Sequence, residues 1–314
     1  MTDYRTRHSQ YKLDPDLISA HSSHPFILIW DDHETANNTY KDGAENHQEE
    51  KEGNFNERMS SALQAYYEWQ PIRENQMPYR KFTFGSLADL IILEERLEGR
   101  TKQASSLQDS SLFESDRTML GEVQLNWFLN NLSDNSTQWK IIGNQVIFSY
   151  LNYGRPDFNI NLDSWDGYPV ERQRIADHIV SNNINDVVFI TGDTHQSWAF
   201  EVNHIPLESD FPIKPYALEF GTPSINSGNS DERFSNVPLQ NLIDHENYIT
   251  DESINPHLKY TNTRDHGYLI LDFNRDKVQA TWKYVKTLIR RDKSIKETIQ
   301  IESDSKSNKL NKII

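Results

Sequence analysis

Two short runs in this 314-residue sequence carry side chains that could do chemistry. They are Asp31-Asp32-His33-Glu34, followed closely by Asn37-Asn38, and Asp193-Thr194-His195. Carboxylate oxygens combined with imidazole nitrogens suit zinc, iron or manganese, whereas carboxylate and amide oxygens suit calcium or magnesium. Each run directly follows an apolar stretch, Phe26–Trp30 in one case and Val187–Ile190 in the other. In open α/β sheets, ligands bind just beyond the carboxyl ends of strands. Gly192 ahead of the second run offers a tight exit from its strand. Taken alone, an Asp-Asp-His-Glu run is as well explained by a solvated turn or a helix N-cap. A metal site requires the two strands to be neighbours, so that ligands distant in sequence meet at one edge.

Other segments carry less. Trp165-Asp166-Gly167-Tyr168-Pro169 reads as an aromatic turn ahead of a helix, or as aromatic and acidic groups lining a substrate pocket. Ser197 lies near His195 but in no G-x-S-x-G elbow, and neither G-x-G-x-x-G nor a Walker loop occurs. Asn255-Pro256-His257 reads as a loop end. Lys and Arg number 32 against 47 Asp and Glu, a formal net charge of −15, which argues against a nucleic-acid-binding surface. Phosphate chemistry in such a chain needs a locally positive site, such as bound metal ions. The longest apolar runs fall far short of the ~20 residues of a membrane span, and Met1–Asp14 has no signal-peptide character. Cysteine is absent, which excludes disulfides and thiolate ligands.

The elements that must hold these runs follow from periodicity. Tyr4–Ile18 reads as a polar helix and Phe26–Trp30 as a strand buried on both faces. Glu57–Trp69 reads as a helix stopped by Pro71. Tyr79–Phe84 and Leu90–Leu93 read as strands, with a turn at Gly85-Ser86. Gly121–Leu132 and Val170–Asn182 have helical spacing, and Trp139–Ile142 and Val187–Ile190 read as strands. Strands then follow in series at Tyr216–Phe220, Gly267–Phe273 and Val278–Val285. The alternation predicts an α/β fold of two packed sheets with flanking helices in one domain, residues 1–289, and a loose polar tail, residues 290–314. Residues 203–215 and 226–246 read as loops that shape a pocket.

At these residues the sequence closely resembles the alkaline phosphatase D family of PhoD-like metallophosphatases. The matching stretches include Trp30-Asp31-Asp32-His33-Glu34 with Asn37-Asn38, Ala65–Pro71, Arg117–Gly121, Asp163–Pro169 with Arg172, Gly192–Trp198, and Asn255-Pro256-His257 through Gly267-Tyr268. The resemblance implies a metallophosphoesterase-like sandwich of two mixed β-sheets flanked by helices. It also implies hydrolysis of phosphate monoesters or diesters, with iron and calcium as cofactors and zinc or manganese as alternatives. Carried over by position, Asp193, His195 and Asn38 are metal ligands and Asn37 contacts the substrate. Asp32 and His33 stand where related enzymes have an Asn-His pair, so His33 contacts phosphate or protonates the leaving group. Members of the family are periplasmic or secreted; with no signal in this chain, the expectation is cytoplasmic if Met1 is the true start.

The chain departs from the family in one respect. The family places an accessory domain and the first catalytic strands ahead of this stretch, with a Gly-Asp-Tyr motif and a ligating cysteine, and neither occurs here. Three expectations follow: a fragment completed by an N-terminal polypeptide segment, a shortened enzyme recruiting His47, Glu34 or His24, or a non-catalytic metal- or phosphate-binding remnant.

Overall fold

Four parallel strands form the centre of the molecule, apolar on both faces apart from the buried Asp89, Lys140 and Glu219. In a computed structural model that describes residues 1–73, 77–156, 158–203 and 214–313, these are β2 (Ala88–Ile92), β3 (Trp139–Gly143), β4 (Val187–Thr191) and β6 (Ala217–Gly221). β1 (Arg80–Phe84) pairs antiparallel to β2 through the turn at Gly85. On the other side, β5 (Ser197–Val202) and β7 (Leu258–Asn262) complete the order β1-β2-β3-β4-β6-β5-β7. Alternation along each strand sorts the two faces. Ile91, Ile142, Val187 and Phe189 pack against the helices Gly121–Leu132 and Pro169–Ser181 through Leu125, Phe128, Ile175 and Ile179. Ile141, Val188, Leu218 and Phe220 face the second sheet.

That second sheet is antiparallel throughout rather than mixed. It runs β11 (Asn311–Ile313), β10 (Ile295–Asp304), β9 (Lys277–Val285), β8 (Gly267–Phe273). Val278, Ala280, Trp282 and Tyr284 present one face of β9 to the first sheet. Two indoles stitch the layers together: Trp282 Nε1–H donates to the Gly221 carbonyl at 2.9 Å, and Trp139 Nε1–H to the Asn274 carbonyl at 2.7 Å.

Three local expectations are corrected. Tyr4–Ile18 is not one helix but parts of two, Thr2–Tyr11 and Pro15–Ser23. Pro15 starts the second, and the Asp14 carboxylate caps it by accepting from the Asp16 and Leu17 amides. The stretch after residue 290 is not loose. Ile299 and Ile301 alternate with polar residues, Ile301 is buried between the sheets, and β10 runs the length of β9. Beyond it, Lys309 Nζ and the Leu310 amide both bind the Glu201 carboxylate at 2.9 Å.

Phe26–Trp30, third, is extended but belongs to neither sheet. Side chains meet its carbonyls instead: Arg80 donates to Leu28 O and Gln145 to Trp30 O. Leu28, Ile29 and Trp30 pack with Tyr66 and Leu97, against the helix Phe55–Trp69. Among the described residues no helix is long and apolar enough to cross a membrane.

The packing of β10 is testable. Ile301→Ala should cost about 2–5 kcal/mol in thermal or urea unfolding, whereas Ile289→Ala, at a side chain 98% exposed, should change nothing measurable. A loose tail would leave both variants at the stability of the parent.

Candidate functional site

The carboxyl ends of β2, β3 and β4 lie side by side, and the chain leaving each one is polar. β2 continues into Leu93-Glu94-Glu95-Arg96, β3 into Asn144-Gln145, and β4 into Gly192-Asp193-Thr194-His195. The Asp31 run reaches this edge from the extended segment, not from a neighbouring strand. Arg96 joins it to the sheet. The arginine side chain has no exposed surface. Its Nε donates to Asp31 Oδ1 at 2.5 Å, Nη1 to Asp163 Oδ2 at 2.7 Å and Nη2 to Asp193 Oδ1 at 2.8 Å; Asp32 Oδ1 lies 4.0 Å from Nη2. Asp163 is also held by Arg100 at 2.5 Å and by Gln103 at 2.6 Å.

Two guanidiniums therefore face four carboxylates, which leaves a surplus of two negative charges when all are ionised. The crowding has titration consequences. Desolvation and then the Asp31 charge push the Asp193 carboxyl well above its ordinary range, against the pull of Arg96. Desolvation likewise raises Asp31, again opposed by Arg96. Asp163 is desolvated too, but Arg100 and Arg96 together hold it below the usual carboxylate value. Oxygens of Asp31, Asp32 and Asp193 come within 4.8 Å of one another, a spacing that one cation can bridge. His195 is not part of that group.

Backbone geometry fixes the rest of the site. Asp32 is pinned by the His33 and Asn38 amides, both donating to its carboxylate at 2.8 Å. The Glu34 carboxylate accepts from the Asp31 amide at 2.7 Å and so closes the turn rather than facing the cluster. Gly192 is not where the exit needs glycine, since a Cβ there would meet only Gln145 O, at 3.7 Å. The left-handed conformation falls on Asp193 and His195, each with φ 62°, which costs about 1–2 kcal/mol per residue. Strain of this kind collects at sites where a side chain must be aimed. His195 Nδ1 lies 2.7 Å from the Gly228 carbonyl, so Nδ1 carries the proton and the neutral ring keeps its lone pair on Nε2.

The residues singled out in the sequence fall into two groups. Asp32, His33, Asn37, Asn38, Asp193 and His195 line one open cavity of about 690 Å³, with Tyr153, Arg155, Phe158 and Phe234 on its wall. His33 is 74% exposed and its Nε2 hydrogen-bonds Asn37 Oδ1 at 3.1 Å. Glu45 accepts from the side-chain amides of Asn37 at 3.0 Å and Asn38 at 2.6 Å, fixing which way both point. Trp165 and Asp166 lie elsewhere. Trp165 is fully buried in the core under the helices, donating to Asn144 Oδ1 at 3.1 Å, and Asp166 pairs with Arg172 at 2.5 Å. An aromatic and an acid at a helix entry serve packing and anchoring here. Gly228–Ser230 and Glu232–Phe234 also line the cavity, whereas 204–213, read as pocket loop, lie outside the described residues.

Neither His24 nor His47 joins the cluster; His47 hydrogen-bonds the Gly53 carbonyl at 3.0 Å. His257 is buried and bonds the Tyr150 carbonyl at 2.6 Å, and burial pushes its pKa down to about 4. The sequence reading passed over Arg96, Glu94 and Glu95. Glu95, fully buried beneath the cluster, accepts from the Gln145 and Val146 amides, and burial raises its pKa to about 8. Their signal was the one used for the other two runs, a polar triplet directly after an apolar strand.

Comparison with known proteins bears on this arrangement. A sequence profile described as PhoD-like phosphatase matches residues 1–282. Alkaline phosphatase D of Bacillus subtilis (strain 168) is 36% identical over 280 residues, covering 83% of this chain and 44% of that protein. A solved structure titled Structure of PhoD superposes with a TM-score of 0.83 at 30% identity, covering 99% of this chain and 59% of that one. The chain thus spans less than half the length of the curated relative. The shared sandwich and the matched sequence lead to one assignment: the chain belongs to the PhoD-like phosphatase family.

Proposed function

We propose that the chain carries the cation-holding and proton-donating part of a phosphoester hydrolase, acting on monoesters, diesters or both. The observation that carries this reading is the convergence of Asp31, Asp32 and Asp193 within 4.8 Å, at a cavity that also holds His33, His195, Asn37 and Asn38. The name of the Bacillus subtilis relative supports the substrate class. The donor set fits a metal: hard carboxylate oxygens suit calcium or ferric iron, and an imidazole nitrogen admits zinc or manganese. Asp31, Asp32 and Asp193 would hold the ion, with His195 Nε2 and the Asn38 amide oxygen, on the same cavity, as further donors.

A bound cation would neutralise phosphate charge and lower the pKa of a water to supply hydroxide near neutral pH. The chain's own residues do the rest. Arg96 keeps Asp31 and Asp193 aimed at one point, and Asn37, fixed by Glu45, faces the cavity as a phosphate donor. His33 would trade its Asn37 contact for the leaving oxygen and deliver a proton there. In this reading, polypeptide beyond residues 1–314 adds further ligands. A non-catalytic metal- or phosphate-binding role for the same cluster is the second reading.

Hydrolysis of p-nitrophenyl phosphate and of its bis ester, with calcium plus iron, zinc or manganese, separates the readings. Turnover that falls more than about a hundredfold in Asp193→Asn supports the hydrolase; tight cation binding without turnover supports the binding role. Arg96→Gln should lose about 3–5 kcal/mol in the presence of a chelator, because it strands buried carboxylates, and should recover part of that with calcium. Burial raises the Asp193 carboxyl, and a cation would bind its ionised form. Binding should therefore release protons and weaken as pH falls, which calorimetric titration in buffers of different ionisation enthalpy checks.

A further inference from the structure

The His195 ring takes its direction from a carbonyl that belongs to no helix or strand. Nδ1 donates to Gly228 O at 2.7 Å, on the stretch between β6 and the short helix Ser230–Arg233. Such a carbonyl keeps its direction only if the rest of its peptide group is held as well. The amide on the other side of the same peptide, that of Asn229, donates to Glu232 Oε2 at 2.9 Å. Glu232 Oε1 in turn meets His266 Nε2 at 3.0 Å. One hydrogen-bonded line therefore runs from the His195 ring through the Gly228–Asn229 peptide and the Glu232 carboxylate to the His266 ring. Bonds in such a line polarise and strengthen one another.

His266 also holds the start of that stretch. Its Nδ1 lies 2.9 Å from Ser224 Oγ. The hydroxyl spends its one hydrogen on the Ser227 carbonyl, at 2.5 Å, so the imidazole is the donor. The main chain of Ser224 is tied on both sides: its amide donates to the His195 carbonyl at 3.1 Å, and its carbonyl accepts from the Gly267 amide at 3.1 Å. Desolvation raises the Glu232 carboxyl, but hydrogen bonds from Asp231, the Asn229 amide and His266 outweigh it and bring it down to about 2, so the group stays ionised and keeps accepting. His266 is 6% exposed and stands outside both the Asp31, Asp32 and Asp193 group and the cavity lining. Packing alone would not require both of its ring nitrogens to land on the one stretch that orients His195.

We infer that His266 is a positioning residue for His195: through Glu232 and the Gly228–Asn229 peptide it fixes the His195 proton on Nδ1 and leaves the lone pair of Nε2 for a ligand in the cavity. The use of that lone pair rests on the reading above that His195 serves a cation; the positioning does not. Outer partners that fix the tautomer of a ligating histidine contribute about 10–100-fold to metal affinity.

The test labels the histidine rings of the full chain with a heavy nitrogen isotope and reads the ring nitrogens of His195 by long-range proton–nitrogen correlation. Chelator is present and the sample is held at about pH 8, where most imidazoles are neutral. His195→Gln assigns the signals. The parent should show Nδ1 protonated. In His266→Ala the two nitrogen shifts should move toward each other, as the ring samples both tautomers, and zinc affinity should fall about tenfold or more. Glu232→Ala, at a side chain 49% exposed, should do the same, and keeps the test decisive if His266→Ala does not fold. Lys296→Ala, which breaks only the neighbouring ion pair with Asp265, should leave both readouts at the parent's values.

A folded His266→Ala whose His195 signals match the parent's would overturn the inference, however much stability the variant has lost, and so would such a match in Glu232→Ala. A parent whose His195 carries its proton on Nε2 would overturn it as well. If the parent binds no zinc, the cation reading fails, while the ring-nitrogen signals still decide the positioning role.

Discussion

The buried guanidinium of Arg96 gathers three segments that the chain keeps far apart. Asp31 ends the extended stretch before the first 3-10 turn, Asp163 precedes the helix Pro169–Ser181, and Asp193 follows β4. An arginine with no exposed surface is tolerated only when its donors are met. Each of the three segments must therefore arrive in register, and the edge formed by β2, β3 and β4 supplies that register. The same interaction sets the electrostatics. One guanidinium cannot neutralise Asp31, Asp32 and Asp193 at once, and their mutual repulsion, added to desolvation, is what makes the cluster receptive to a cation.

Much of the fold was legible because the signals were periodic. The apolar runs at Trp139–Ile142 and Val187–Ile190 became β3 and β4, and the helical spacing over Gly121–Leu132 became the helix over them. Phe26–Trp30 has the composition of a buried strand, but composition cannot supply a neighbour, and its carbonyls are met by Arg80 and Gln145 side chains instead. The strand after residue 290 was obscured by its charge. Only one face of β10 is apolar, and Ile299 and Ile301 alternate among Lys296, Glu297, Thr298, Gln300 and Glu302.

The site was legible as to residue type but not as to connection. Asp32, His33, Asn37, Asn38, Asp193 and His195 do share a cavity. The expected route, two adjacent strands each bearing a ligand run, is replaced by an arginine bridge from a third strand end. Trp165 and Asp166 show the limit of reading polar and aromatic motifs as ligand contacts. Both have partners whose identity, Asn144 and Arg172, depends on tertiary structure. Left-handed φ at Asp193 and His195 is likewise invisible in the sequence, since neither residue is a glycine.

The central claim is that Asp31, Asp32 and Asp193 form a cation seat. The most direct measurement is anomalous diffraction from crystals of the chain soaked in manganese. The account predicts a peak among these three carboxylates, within the roughly 2.0–2.6 Å bonding distances of hard cations. Crystals in which the three carboxylates take up no manganese and stay paired only with Arg96, while the ion binds elsewhere on this acidic surface, would contradict it.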